Sequence, residues 1–461
     1  MLTPQDLTRR KFIGNACAAV GATGLLNALA QLRVIGAIAG DATTSSSDYK
    51  ALVCIFLYGG NDANNMVVPT DSTGYASYAA QRTSLALAQS SLLGLTPKTY
   101  SDGRSYGFHP SLVEAQALFG TGQLALMANT GTLTYPTTLK QYNSGTASLP
   151  PQLFSHSDQQ TQWQSSLPDQ PFQTGWGGRL ADIINALNTN NSVSMSISVA
   201  GENSFQVGQV VSQYAVSPSG AVVLSGTSGS TTATTRYNTQ LDLLNQTEQN
   251  LFQAAFSNLN SSAITDSNLL TTLLTGATTL QTKFPNTSLG TQLNMIAKLI
   301  SAAPQLGLKR QVFFASLGGF DTHTVELTAQ GPLLVQVSQA MNAFYKATVE
   351  LGVDSQVTTF TGSDFSRTYN TNGNGTDHGW GSHHLVLGGA VKGGDIYGTM
   401  PSQVLGGPDD TGRGRWIPST SVDQYAATLA TWFGVSPTNL PIVLPNIGRF
   451  ANSNLGFMQG A

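Results

Sequence analysis

The sequence runs to 461 residues, 40% of them hydrophobic, enough to bury a large core in one big α/β domain or a few smaller ones. Only 10% of the residues are charged and the formal net charge is −3, which leaves no basic footprint for nucleic acid. The polar surface must come from Ser, Thr, Asn, Gln and Gly, a composition that suits an extracytoplasmic protein.

The chain opens with Thr8-Arg9-Arg10-Lys11-Phe12-Ile13 and a modestly apolar, Ala/Gly-rich stretch reaching Ala30. That is the pattern of a twin-arginine export signal. Asn15 and Asn27 interrupt a segment barely long enough to span a bilayer, so no stable membrane anchor is expected. Residues 1–39 are expected to be signal peptide and linker, read by the twin-arginine export machinery, with a periplasmic or secreted product. Cleavage motifs end at Ala30 and Ala39. Cys17 leaves with the signal, so Cys54 remains alone and no internal disulfide is expected.

Residues 51–58 form an unbroken apolar run that ends in Gly59-Gly60-Asn61-Asp62. A continuous run predicts a strand covered on both faces, as in a central parallel sheet. Similar runs lie at 124–128, 311–317 and 356–361, with helical patterns at 110–119, 178–187 and 325–351. The alternation predicts an α/β fold, a mostly parallel central sheet flanked by helices, in one domain over 49–461. The stretch from about 200 to 308 reads as an insertion or cap. It has strand material at 205–214, a polar segment at 217–235 and helical patterns at 241–259, 269–280 and 289–302. Ser421 and Gln424 predict a capping box that opens a helix to Phe433.

Three of the apolar runs end, within a few residues, in an aspartate among small or polar neighbours: Asp62, Asp321 and Asp364. Ligands of open α/β sheets bind beyond the carboxyl ends of parallel strands, so the three are expected to converge on one crevice. Clustered carboxylates repel unless protonated or shared by a cation. Each aspartate alone reads first as a helix cap or turn residue. Three at matching positions, with all six histidines in Gly/Ser/Pro/Asp-rich motifs, point to a site. His323 and His378 add nitrogen donors, which suit zinc, manganese or iron better than calcium.

The motifs Gly59-Gly-Asn-Asp62, Phe154-Ser-His-Ser-Asp-Gln-Gln-Thr-Gln-Trp163, Gly175-Trp-Gly-Gly-Arg179, Gly319-Phe-Asp-Thr-His323, Ser363-Asp-Phe-Ser-Arg367 and Gly375-Thr-Asp-His378 follow a twin-arginine start. In that order they resemble the DUF1501 family over essentially the whole mature chain. That family is remotely similar to the alkaline phosphatase and sulfatase superfamily. The resemblance implies an exported hydrolase of phosphate or sulfate esters, small-molecule or glycan-linked, that uses a divalent metal such as zinc or manganese. It implies Asp62, Asp321, His323, Asp364 and His378 as metal ligands. Phe365 stands where the superfamily has the histidine of an Asp-His pair. A second metal site is therefore absent, built differently, or completed by a residue such as His384.

For the nucleophile, Ser155 is the first choice and Ser157 the second, with a metal-bound hydroxide as the alternative to a side chain. Both serines also read as helix caps. His156 is expected to face the site as a catalytic group, and Arg367 to hold an anionic phosphoryl or sulfuryl group unless it spends its charge on a salt bridge. Asp377 is expected to fix the tautomer of its neighbour His378. The rival reading is a non-catalytic envelope or carbohydrate-binding protein with an incomplete metal set, favoured by Phe365 and by the low charge.

Overall fold

The computed structural model describes residues 48–188, 193–221, 226–246, 250–276 and 279–461. The export signal expected over residues 1–39, with its cleavage motifs and Cys17, lies outside the described residues.

Among the described residues nine strands form the main sheet: β1 (Lys50–Leu57), β2 (Leu124–Gly131), β3 (Ser196–Ser198), β4 (Tyr214–Ala215), β5 (Arg310–Leu317), β6 (Val357–Ser363), β7 (Ser382–Leu387), β8 (Ile396–Tyr397) and β9 (Thr420–Ser421). Their order is β8-β2-β7-β6-β1-β5-β3-β4, with β9 also paired to β2. Every pairing is parallel except those of β7, which runs against both β2 and β6. The mostly parallel α/β sheet is therefore present.

Every residue of β1 from Ala51 to Leu57 is buried, which requires cover on both faces. The helices of eight residues or more among the described residues are α1 (Ser72–Arg82), α2 (Val113–Gly120), α3 (His156–Ser165), α4 (Trp176–Ile184), α5 (Thr231–Leu244), α6 (Leu251–Thr275), α7 (Ser288–Ser301), α8 (Glu326–Glu350) and α9 (Val422–Phe433). One layer is α7 on α8 on α2. In the other, α3 packs on α4, while α4 and α9 meet through the short helix Leu440–Val443. The capping box of α9 forms as expected: Ser421 Oγ accepts from the Gln424 amide and the Gln424 side chain accepts from the Ser421 amide. Among the described residues, no helix is long and apolar enough to cross a membrane.

Three stretches differ from the sequence reading: the pattern expected at 269–280 is no separate helix but the end of α6, which stops at Thr275 with Gly276 as its C-cap, and the other two differ for local reasons. The pattern at 241–259 is split: α5 ends at Leu244, and Asn250 opens α6 by accepting from the Phe252 and Gln253 amides. Apolar spacing continued through a break that only the cap reveals. The strand expected at 205–214 shrinks to β4, because the preceding backbone wraps the start of α4. The Phe205 and Val207 carbonyls accept from the Gly178 and Gly175 amides, and the Asp182 carboxylate takes the amides of Gln209, Val210 and Val211. A Cβ at Gly175 or Gly178 would fall 2.1 Å from those carbonyl oxygens, which explains the glycines of that motif. Helix α7, from the segment read as a cap, packs on β5 and α8, while α5 and α6 pair with each other.

Strand β7 carries the adjacent residues His383 and His384, where its register against β2 shifts between Ser382 and His384. Both are buried. His383 Nδ1 accepts from the Asn129 amide, and the His384 ring lies between Trp163 and Tyr425 with no partner at either nitrogen.

Candidate metal centre

Strands β6, β1 and β5 are parallel neighbours, so their carboxyl ends lie side by side, followed by Asp364, Asp62 and Asp321 respectively. Because β7 is reversed, the connection that leads into it shares this edge and brings His378. Helix α3 brings His156 as its first residue.

Ligand-type atoms of His156, Asp321, His323 and His378 all lie within 4.8 Å of one another. Asp321 Oδ1 is 3.2 Å from His323 Nε2, 3.3 Å from His156 Nε2 and 3.7 Å from His378 Nε2. The Nε2 atoms of His323 and His378 are 2.9 Å apart. Donors in a tetrahedral shell with zinc bonds of 2.0–2.1 Å stand roughly 3.3 Å from each other, so these separations bracket a four-donor shell. Among the described residues, no other group of three or more His, Cys, Asp or Glu side chains is so placed.

The ring tautomers sharpen the point. His378 Nδ1 lies 2.6 Å from the Phe154 carbonyl, which can only accept, so Nδ1 carries the proton. His156 Nδ1 lies 2.7 Å from Asp364 Oδ2, a carboxylate that also accepts from Gln160 Nε2 and the Gly59 amide. His323 Nδ1 faces Asp377 Oδ1 at 3.3 Å, and Asp377 accepts further from Asn372 and Arg413. Each neutral ring therefore aims an Nε2 lone pair at the others and at a carboxylate oxygen. His156 Nε2 is buried and has no hydrogen-bond partner, although Asp321 is close. Lone pairs so placed repel unless a proton or a cation sits among them. Imidazoles fixed through Nδ1 by a carboxylate or carbonyl are the usual support of metal-binding histidines, so the residues fit a bound cation.

Access and charge agree. The Asp321 and His323 side chains are 49% and 43% exposed, so the cluster opens to solvent, while His156 and His378 are recessed. The Asp364 hydrogen bond raises the His156 pKa against the opposing effect of burial, and burial lowers that of His378. At Asp321 the upward push of burial is outweighed by Arg367 and His156, which hold the carboxyl below the ordinary range. Two glycines allow the close approach of backbones. Gly59 has φ +113° and a Cβ there would lie 2.3 Å from the Asp321 nitrogen, while a Cβ at Gly375 would lie 2.3 Å from the Thr322 carbonyl oxygen.

The structure thus brings together three of the five expected ligands, Asp321, His323 and His378, with His156, which was expected to face the site as a catalytic group. Asp364 and Asp62 stand outside the four-atom cluster. Asp364 is the acceptor behind His156. Asp62 is buried, caps the short helix Ala63–Met66 and is ion-paired with Arg82. Arg82 also holds Glu326 at 3.0 Å, and the Glu326 carboxylate accepts from Thr376, which accepts in turn from Arg367 Nε. Burial, then Asp62, push the Glu326 pKa up. Arg367, expected to hold a substrate anion, is fully buried and gives its donors to Asp321, Thr376 and the Gly59 carbonyl. It fixes the Asp321 carboxylate from behind.

Ser155 is the N-cap of α3, and its hydroxyl donates to Asp158 Oδ2 at 2.6 Å. Ser157, within 3.4 Å of the same carboxylate, is the second residue of the helix rather than its cap. Phe365 packs against the rings of both His156 and His378. His384 is in the core, not at the cluster. Asp377 supports His323 rather than its neighbour His378, whose support comes from Phe154. Arg413, ion-paired with Asp377, and Arg415, whose Nε donates to the His378 carbonyl at 2.8 Å, also adjoin the cluster. Sequence reasoning passed over both.

A model of the family described as "Protein of unknown function (DUF1501)" matches residues 49–408. No curated protein matches the sequence. Among solved structures, the crystal structure of Ps i-CgsB in complex with k-i-k-neocarrahexaose is 8% identical, with 88% of this chain and 78% of that one covered at a TM-score of 0.34. A second, the PsFucS1 sulfatase from Pseudoalteromonas sp., is 11% identical, with 94% and 73% covered at a TM-score of 0.29. At such scores neither likeness assigns an activity or a residue role to this chain.

Proposed function

Since the chain belongs to the DUF1501 family, whose description carries no activity, we propose a function from its own geometry: a metal-dependent hydrolase of phosphate or sulfate esters. Its cation would be held by His156, Asp321, His323 and His378. The observation that carries this reading is the convergence of three Nε2 lone pairs and one carboxylate oxygen within 4.8 Å, each imidazole supported at Nδ1. Three nitrogens and one oxygen favour zinc over manganese. A cation there would polarise an ester oxygen and offset the charge that builds up as the ester bond breaks.

The chain's own groups supply the rest. Arg367 and Asp364 hold Asp321 and His156 in place, so little reorganisation is needed when substrate arrives. Ser155 is the side-chain nucleophile of this reading, with its hydroxyl already hydrogen-bonded to the Asp158 carboxylate that would take the proton. Export by the twin-arginine route, which carries proteins already folded, would let the cation be loaded before the protein reaches the periplasm or the medium.

The test is a screen of aryl phosphates and aryl sulfates from pH 5 to 9, with zinc-loaded and chelator-stripped protein side by side. Turnover is expected only in the loaded sample, and Ser155→Ala is expected to keep the metal while losing turnover. Loaded protein that hydrolyses neither series would rule out the hydrolase reading. It would leave the rival, a non-catalytic carbohydrate-binding or envelope protein on the same scaffold.

A further inference from the structure

We propose that Arg415 recognises the anionic group of the substrate, a tetrahedral oxyanion of the phosphate or sulfate type, at the cluster; the proposal rests on the hydrolase reading above. Three guanidinium groups surround the centre, and two are already committed. Arg367 is buried with all three of its nitrogens bonded to protein oxygens. Arg413 is neutralised by Asp377. Arg415 has no carboxylate partner among the described residues. It uses Nε on the His378 carbonyl, and among the described residues neither terminal nitrogen of its fork has a protein acceptor. A planar fork with two free N–H edges matches two oxygens of a tetrahedral anion.

The fork is also held in place. Its carbon lies 4.7 Å above the Phe154 ring, a stacking contact that fixes the guanidinium plane. Phe154 adopts φ +77°, a left-handed conformation that bulky residues rarely take. In that conformation its carbonyl meets His378 Nδ1 while its ring lies beneath Arg415, so one strained residue serves a candidate ligand and the free cation together. The loop is pinned as well. The Asp410 carboxylate accepts the amides of Gly406, Gly412 and Gly414, and the Thr411 amide and hydroxyl donate to the Arg415 carbonyl. An arginine fixed in advance loses little side-chain entropy when it binds.

Charge points the same way. Without a cation, Asp321, Asp364 and Asp377 are balanced by Arg367, Arg413 and Arg415. A bound dication leaves the centre positive, which favours an anion beside Arg415, the guanidinium at the centre that is uncommitted among the described residues.

Zinc-loaded protein is titrated calorimetrically with inorganic phosphate and, separately, inorganic sulfate, for wild type, Arg415→Met and Arg415→Lys, with zinc content and circular dichroism recorded on each sample. Arg415→Met is expected to weaken anion binding roughly 10- to 100-fold at unchanged zinc content. Arg415→Lys, which keeps the charge and loses the fork, should fall between. Tighter phosphate than sulfate would assign the phosphate ester class, and the reverse the sulfate class. Unchanged affinity in Arg415→Met overturns the proposal, as does a wild type that binds neither anion. Should Arg415→Met fail to fold, wild-type affinity in Arg415→Lys overturns it equally. If the wild type holds no zinc yet Arg415→Met still loses the anion, the Arg415 assignment stands and the hydrolase reading alone fails.

Discussion

Replacing His323 with alanine is expected to lower zinc affinity by more than ~100-fold while leaving the fold intact. The side chain is 43% exposed, on the connection that follows β5, and packs into no apolar core, so its removal opens no cavity. What disappears is one donor of four. Loss of a group that merely supports a ligand costs about 10- to 100-fold in metal affinity, and loss of a direct donor should exceed that. Asp364→Ala provides the internal comparison, because Asp364 reaches the cluster only through His156. Its loss should cost about 10- to 100-fold and no more. Competition with a chromophoric chelator measures both. Wild-type affinity in His323→Ala would remove it from the ligand set, and a larger loss in Asp364→Ala than in His323→Ala would restore the sequence-based choice of Asp364 as a ligand.

Three buried histidines are expected to cost the protein stability from about pH 6.5 downward, a loss opposed by the buried carboxyls of Glu326 and Asp423, whose pKa values burial raises, so that the effect is read as a difference between wild type and a histidine variant. Burial, the main cause in each case, lowers the pKa of His383 and His109 to about 4 and that of His384 to about 3. The contacts agree: Nδ1 of His383 and of His109 each accepts a backbone amide, which requires a neutral nitrogen, and His384 offers a charged ring no partner. These folded-state pKa values lie below the unfolded value near 6.5. The associated stability is therefore complete above pH 6.5 and falls as the unfolded chain takes up protons that the folded one refuses. The loss continues until the pH reaches the folded values near 4 and 3. At ~1.4 kcal/mol per pH unit, each histidine forfeits about 2 kcal/mol by pH 5. His384→Leu, close in volume and without a proton to take up, should recover about that amount. Urea midpoints of wild type and variant, measured from pH 7.5 to 5, test the point. Parallel curves would show that His384 is not held neutral in the folded protein.

How much of the site could be read from the sequence depends on whether the determinant is local. The apolar runs of β1, β5 and β6 marked parallel strands, and the rule that ligands bind at carboxyl ends located Asp321 and His323 at one edge. His378 was also legible, because Gly375 lets its loop lie against the Thr322 backbone. The same rule could not separate Asp62 and Asp364 from the ligands. It places a residue at an edge without saying which partner captures its side chain. Asp62 is captured by Arg82 from α1 and lies beside Glu326 from the start of α8, contacts that no spacing in the sequence reveals. Arg415 escaped notice for a related reason. Its loop, Asp409-Asp-Thr-Gly-Arg-Gly-Arg-Trp416, follows no strong periodic element, and its importance depends on Phe154, far away in the chain. The fold class was legible because continuous apolar runs and capping signals are local. The break between α5 and α6 was not, because apolar spacing persists across it.

The most direct test of a single cation held by three histidines and an aspartate is elemental analysis of the protein purified without added metal, followed by zinc repletion. About one equivalent of a transition metal per chain is expected, retained through dialysis and lost in His323→Ala. Less than about a tenth of an equivalent, with no uptake on repletion, would contradict a metal centre at His156, Asp321, His323 and His378.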